Sequence, residues 1–374
     1  MSKFLPVVVL IAASATLASA QDFGRAHQPK LTPQTSGTTQ LLIDVSPVND
    51  RIVWAAGTGG TYVVTTDGGE HWKSAVVPGA EQEQFRDVHA VSDKIAYLMS
   101  IGNNTNDFRV YKTTDGGATW SIEFTNQDPN AFYDCFAFWT PDRGITHSDS
   151  FNGVFPDIRT HNGTTWQSIA ANMPVALPGE ASFAASGTCI TTQGDKNAWI
   201  TTGASTTARI LATRDGGNTW NACDTPLVSN PSAGGISVAF RDSRHGIVGG
   251  GDLSTNTNAD TATSDDGGQT WTLTNAPPVQ GAIFCLAYIR GMNNDDDDFR
   301  FGFDDRDRDD FERAVVITTE TEPNFTSGEA AWTPDEGRTW FTLPSVSGFW
   351  AVGFANPHAG WFVGNNGMIT KISF

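Results

Sequence analysis

The sequence predicts an all-β protein, a single seven-bladed β-propeller whose ring is closed by strands from the two ends of the chain. Three observations predict it. A turn motif built on Asp-Gly and a following Trp recurs along the chain. Its copies are spaced as four-stranded blades are spaced. Apolar runs beyond residue 20 are short or alternating and separated by polar turns, which reads as strands, and none has a persuasive helical period.

Composition narrows the function classes. The chain has 374 residues, with 39% hydrophobic and 17% charged, enough apolar material for a core. Lys+Arg number 23 against 41 Asp+Glu, a formal net charge of −18. That balance argues against nucleic acid and against anionic lipid, both of which are bound through Lys and Arg.

At the start, Lys3 precedes an apolar stretch from Phe4 to Ala13, and small residues follow to Ala18-Ser19-Ala20. This predicts a secretory signal peptide over residues 1–20, cut after Ala20, and a secreted or periplasmic protein. The stretch is too short to span a bilayer, and no later segment is long enough either. Residues 21–374 then form the propeller. A strand between Gln21 and Gln40 is expected to complete the last blade.

The first turn reads Thr65-Thr66-Asp67-Gly68-Gly69-Glu70-His71-Trp72. The second is Thr113-Thr114-Asp115-Gly116-Gly117-Ala118-Thr119-Trp120. A shortened copy, Thr160-His161-Asn162-Gly163-Thr164-Thr165-Trp166, comes third. Three more end the fourth to sixth units, with Asp215 and Trp220, Asp266 and Trp271, and Asp335 and Trp340. Asp-Gly-Gly is hairpin-turn chemistry: Gly supplies positive φ and Asp bonds nearby N–H groups. The Trp then opens a strand and anchors it. The ten Asp and Trp residues of the five full copies are therefore assigned to structure.

Upstream of each turn lies an apolar run such as Asp134-Cys135-Phe136-Ala137-Phe138 or Ile236-Ser237-Val238-Ala239-Phe240. A seventh unit begins near Gly348 and stops at Phe374 without its turn, so the N-terminal strand must supply its fourth strand. The sixth unit is long because of an acidic insertion at about 292–330. From Asp295 to Arg313 it carries ten acidic and four basic residues. Such a run is ordinarily a solvated loop. Calcium is the sharper alternative, since Asp305, Asp307 and Asp309 have EF-hand spacing, but Asp310 and Val316 stand where Gly and Glu are needed. No other cofactor is expected. Four cysteines allow three pairings, and Cys189 with Cys223 is the expected one because both fall in one unit.

The turn motif resembles the Asp-box, or BNR repeat, of pattern Ser/Thr-x-Asp-x-Gly-x-Thr-Trp. Together with Gly179-Glu180-Ala181-Ser182-Phe183-Ala184-Ala185-Ser186-Gly187-Thr188 and Asp142-Arg143-Gly144-Ile145-Thr146-His147-Ser148-Asp149, it is similar to the photosystem II stability/assembly factor family, and most to its exported bacterial relatives. Those relatives are often labelled oxidoreductase or glycosyl hydrolase. The resemblance implies seven blades and structural boxes. The family docks its partner on a basic surface, which this acidic composition does not match.

The enzyme classes fare less well. The Phe-Arg-Ile-Pro start of sialidases is absent: Phe85-Arg86-Asp87-Val88 and Phe108-Arg109-Val110-Tyr111 lack the Pro. Xyloglucanase chemistry works between two propellers, and one uses the whole length here. No Gly-x-Gly-x-x-Gly follows a strand and opens a helix, so a dinucleotide site has no residue support. Asp134, His147, Asp149 and Glu180 are the candidates for a binding site in the central channel or on its top face. The expected function is a monomeric, non-enzymatic binding or assembly module for a protein or glycan partner, with an extracellular glycoside hydrolase as the alternative.

Overall fold

The computed structural model describes residues 27–102, 104–257, 259–289, 311–321 and 323–374. The predicted signal peptide lies outside the described residues, as do Asp295–Asp298 and Asp304–Asp310 of the acidic insertion.

Seven four-stranded antiparallel sheets are arranged as the blades of a propeller. The innermost strands are Leu42–Pro47, Gln84–Ala90, Tyr133–Thr140, Ile190–Gln193, Ala233–Phe240, Ala282–Tyr288 and Phe349–Asn356. The seventh blade continues through Ala359–Gly364 and Met368–Ser373, and its outermost strand is Lys30–Thr35. Lys30 faces Ser373 and Thr35 faces Met368 across that last ladder. The expected closure by both chain ends is therefore present.

The repeated turns join the third and fourth strands of the blades. In the first, Thr65 Oγ1 donates to Asp67 Oδ1 at 2.8 Å, and the same carboxylate oxygen accepts from His71 N at 3.0 Å. Asp115, Asp215, Asp266 and Asp335 repeat this with Thr119, Thr219, Thr270 and Thr339. In the shortened copy the Asn162 amide oxygen takes the same place, accepting from Thr165 N at 2.8 Å. These bonds hold Asp115 and Asp266 at a pKa of about 2 and pull Asp67 and Asp215 below the usual carboxylate range. Gly68 and Gly69 stand at φ +77° and +89°, the left-handed region the turn demands. The sixth blade breaks that rule. Glu336 replaces the first Gly at φ +55°, and its carboxylate accepts from Arg241 Nε, Arg313 Nε and the Tyr288 hydroxyl.

The turn tryptophans wedge blades together. Trp120 of the second blade lies edge-on to Trp54 and Tyr62 of the first, at 6.3 and 5.2 Å between ring centroids. Tyr62 in return donates to the Gly117 carbonyl at 2.7 Å. Trp166 of the third blade meets Phe124 of the second.

At the axis the inner strands share a device. Six carry a register shift, at Ile43, Arg86, Asp134, Ile236, Phe284 and Trp350, consistent with β-bulges. In five of these the side chain after the bulge reaches the next blade; after the Trp350 bulge stands Ala351, which carries no acceptor. Asp44 Oδ2 accepts from Val88 N at 2.9 Å, and Asp87 Oδ2 from Phe136 N at 2.7 Å. Ser237 Oγ accepts from Leu286 N at 2.9 Å, and Cys285 Sγ from Val352 N at 3.4 Å. Between the third and fourth blades the equivalent position is covalent, a Cys135–Cys189 disulfide. From the fourth to the fifth, Val238 N donates to the Thr188 carbonyl instead.

That disulfide corrects the expected Cys189–Cys223 pair. Cys189 adjoins the innermost strand of its blade and Cys223 lies on the outermost, Asn221–Asp224. Three strand spacings separate them, about 14 Å, twice the Cα distance a disulfide tolerates. Belonging to one repeat unit is thus not proximity.

Two outcomes are expected. Non-reducing peptide mapping recovers Cys135 linked to Cys189, and the Cys135→Ser/Cys189→Ser variant loses about 4 kcal/mol, as loop-closure entropy predicts for a separation of 54 residues. Replacing any one of Asp67, Asp115, Asp215, Asp266 or Asp335 by Ala lowers the melting temperature by roughly 2–4 °C. Unchanged melting in all five variants would refute the structural assignment.

Candidate functional site

The inner strands surround a channel of about 620 Å³. At equivalent positions along its wall stand Ser46, His89, Ala137, Thr191, Ala239, Ala287 and Gly353. All but His89 are small, which leaves the axis open. The His89 ring lies nearly parallel to Phe138, 4.8 Å between centroids. Burial pushes its pKa down to about 4, so the imidazole is neutral at pH 7.

One end of the channel is plugged. The connection from the third blade to the fourth crosses it at Phe183–Thr188. Arg86 Nη1 donates to the Ala184 carbonyl at 2.9 Å, and Ser186 Oγ donates to the Phe284 carbonyl of the sixth blade at 2.5 Å. Ala185 packs with the bulge residues Ile43, Ile236, Phe284 and Trp350 in a buried apolar cluster. Arg86 lies 5.3 Å over the Trp350 ring, and its burial lowers its pKa to about 10. The segment 179–188, singled out by sequence resemblance, thus acts as a stopper.

Beneath the stopper sit Asp44 and Asp87, side by side. Burial raises Asp44 to about 7. Burial and then the charge of Asp44 raise Asp87 well above the usual range. Two adjacent buried carboxyls hold one proton between them. Neither residue, nor His89, stands out in the sequence. The available signal was alignment of the units: Asp44, Asp87, Ser237 and Cys285 occupy the same place in Ile43-Asp44-Val45, Arg86-Asp87-Val88, Ile236-Ser237-Val238 and Phe284-Cys285-Leu286.

The four sequence-predicted candidates do not line this cavity. Three of them gather beside the stopper on the third blade. His147 is wholly buried with its Nδ1 2.9 Å from Asp157 Oδ2, itself wholly buried. Asp134 is buried, and neither of its oxygens receives an N–H or O–H bond from the described residues. Its neighbour is the Asp149 carboxyl, and burial raises both. A proton shared by the pair reconciles these facts. Asp149 Oδ1 also accepts from Ser182 N at 3.0 Å. Glu180 is separate and buried, accepting from Arg209 Nε at 2.8 Å, Leu177 N at 2.7 Å and Thr202 Oγ1 at 2.6 Å. Asp149, Asp157 and Glu180 therefore each fasten a loop or strand where it lies.

Among the described residues, one group brings three metal-ligand atoms within 4.8 Å of one another: Asp67, Glu70 and His71. His71 Nδ1 lies 2.8 Å from Asp67 Oδ2, so both belong to the first turn, where other copies use a threonine hydroxyl.

No family model and no curated protein matches the chain. Solved structures do. YCF48 bound to a D1 peptide matches at 16% identity over 93% of this chain and 97% of that one, TM-score 0.58. YCF48 from Cyanidioschyzon merolae matches at 15% over 92% and 98%, TM-score 0.61. The GH74 enzyme of Niastella koreensis matches at 14% over 91% of this chain and 53% of that one, TM-score 0.56. At such identities the likeness establishes the fold alone.

The buried carboxyl pair has a pH signature. A raised folded pKa stabilises below the unfolded value near 4 and loses that contribution as pH climbs through the folded value. His89 acts oppositely, but only between about 4 and 6.5. The depressed turn aspartates are constant above about 4. Between pH 6.5 and 8.5 the melting temperature should therefore fall, by on the order of 5 °C. Asp44→Asn/Asp87→Asn keeps the acceptors for Val88 and Phe136 and should reduce the slope. A residual slope from Asp134, Asp149, Asp260 and Glu320 is expected, since all are raised too. An unchanged slope by differential scanning calorimetry would count against the shared proton.

Proposed function

We propose that the chain is an exported, non-enzymatic binding module whose rigid ring presents loops to a protein partner. One observation carries this reading: the acidic groups around the axis are spent on the fold. Asp44 and Asp87 cap backbone N–H groups of the next blade, Asp134 meets Asp149, and Glu180 is clamped by Arg209. A glycosidase instead needs two carboxyls facing each other across an open cleft. The stopper leaves the channel as a blind well, while the connecting loops on the stoppered face are free to vary around a fixed scaffold. The fold likeness to YCF48 bound to a D1 peptide agrees with a protein partner. The likeness to GH74 enzymes keeps carbohydrate hydrolysis as the alternative.

The test is crosslinking and affinity capture of the tagged chain from its native envelope and culture medium. A stoichiometric protein partner, with the captured chain beginning at Gln21, is the expected result. Turnover of xyloglucan or of a sialylated glycan with no protein partner would overturn the proposal.

A further inference from the structure

We infer that the turn of the first blade is a metal site, in which Asp67, Glu70 and His71 hold a zinc ion, or a transition-metal dication like it, and leave one coordination position open. This goes beyond the binding-module reading and does not rest on it.

The three side chains already converge. A carboxylate oxygen of Asp67, one of Glu70 and a ring nitrogen of His71 lie within 4.8 Å of one another. His71 Nδ1 and Asp67 Oδ2 are 2.8 Å apart. Ligands bound at the usual distance from a tetrahedral zinc stand roughly 3.3 Å from each other. Small side-chain rotations span the difference. Glu70 is free to make them, because it is exposed and makes no hydrogen bond or ion pair with any described residue.

The turn itself does not need these residues. In the second, fourth and fifth blades the place of His71 is taken by Thr119, Thr219 and Thr270. Their hydroxyls donate to the equivalent aspartate Oδ2 at 2.6, 2.7 and 2.7 Å, so threonine closes the turn as well as imidazole does. In the place of Glu70, Asn218 and Gln269 donate side-chain N–H bonds to the carbonyls of Asp215 and Asp266, at 2.7 and 2.8 Å. A carboxylate has no proton to donate, so Glu70 forgoes that bond and sets a second negative charge beside Asp67. Two departures from the repeat thus fall on neighbouring residues of one copy, and both bring a metal ligand. One of them is imidazole, the side chain most often found on metals and the group that a merely solvated acidic run lacks.

The surroundings leave room for an ion. No described Lys or Arg pairs with Asp67 or Glu70: Lys94 is paired with Asp93 at 3.5 Å, and Lys371 donates to the Gly68 carbonyl at 3.2 Å. A cleft of about 310 Å³ opens beside the turn, lined by Asp67, His71, Trp72, Lys73, Asp93 and Lys94. It lets a water or a small anion reach the open position, the arrangement of zinc sites with three protein ligands. One imidazole and two carboxylates suit Zn²⁺, and by the usual order of affinities suit Cu²⁺ more tightly. Calcium, which takes about six to eight oxygens, is poorly served by three groups of which one is nitrogen.

The experiment is isothermal titration of the full chain with ZnCl₂ in a non-coordinating buffer, with CaCl₂ as the comparison. Wild type should bind one zinc per chain, melt higher with zinc than without, and give no binding heat with calcium at the same concentration. His71→Thr gives this turn the residue of the other copies. It should melt as wild type does without metal, bind zinc roughly tenfold more weakly or worse, and gain no melting temperature from zinc. Glu70→Gln, at an exposed side chain, should weaken binding likewise, and it decides alone if His71→Thr proves less stable. His161→Gln, at an exposed histidine of the third turn, should bind as wild type does. Absence of binding to wild type at millimolar zinc would overturn the site. So would wild-type affinity in both His71→Thr and Glu70→Gln, which would mark the zinc as an adventitious ion only.

Discussion

The fastening of each inner strand to the next is the constraint on which this ring depends. Seven sheets meet around an axial channel, and a gap between any two would expose the apolar faces they pack against each other. The chain meets the demand with a bulge followed by a short acceptor that reaches an N–H of the neighbouring blade. A carboxyl serves at Asp44 and Asp87, a hydroxyl at Ser237, a thiol at Cys285 and a covalent bond at Cys135. The chemistry differs but the reach is the same. Using carboxyls there means burying acid, and the raised pKa values of Asp44 and Asp87 are the physical record of that choice.

The sixth blade makes a similar exchange in its turn. Glu336 occupies a left-handed position that costs a non-glycine residue free energy. In return its carboxylate joins Arg241 after the fifth blade's inner strand to Arg313 and Tyr288 of the sixth. A local rule is broken where a bond between blades is gained.

Much of the architecture was legible in the sequence because it is local. Asp-Gly-Gly specifies a turn, Trp specifies a wedge, and an unfinished seventh unit specifies a strand from elsewhere. What was not legible depends on which residues of different blades converge. Cys189 and Cys223 share one unit, which suggests a pair, but a blade places its first and fourth strands far apart. Asp134, His147, Asp149 and Glu180 drew notice as polar residues beside inner strands. Their burial and mutual pairing come from loops folding over them, which no local pattern encodes. His89 looked like any residue of its strand until six small neighbours around the axis made it distinct.

The pairing of Lys30–Thr35 with Met368–Ser373 has a consequence for how the molecule comes to exist. It joins the most distant parts of the described chain, so it cannot form until nearly every residue has been made. Blades one to six can assemble in order, each resting on the one before, while the seventh waits with an unpaired edge. Closure is then a late event that converts an open arc into a circle, and until it occurs two sheet edges are available to other chains. Ring completion, more than the folding of any blade, is the moment at which the protein becomes safe from itself.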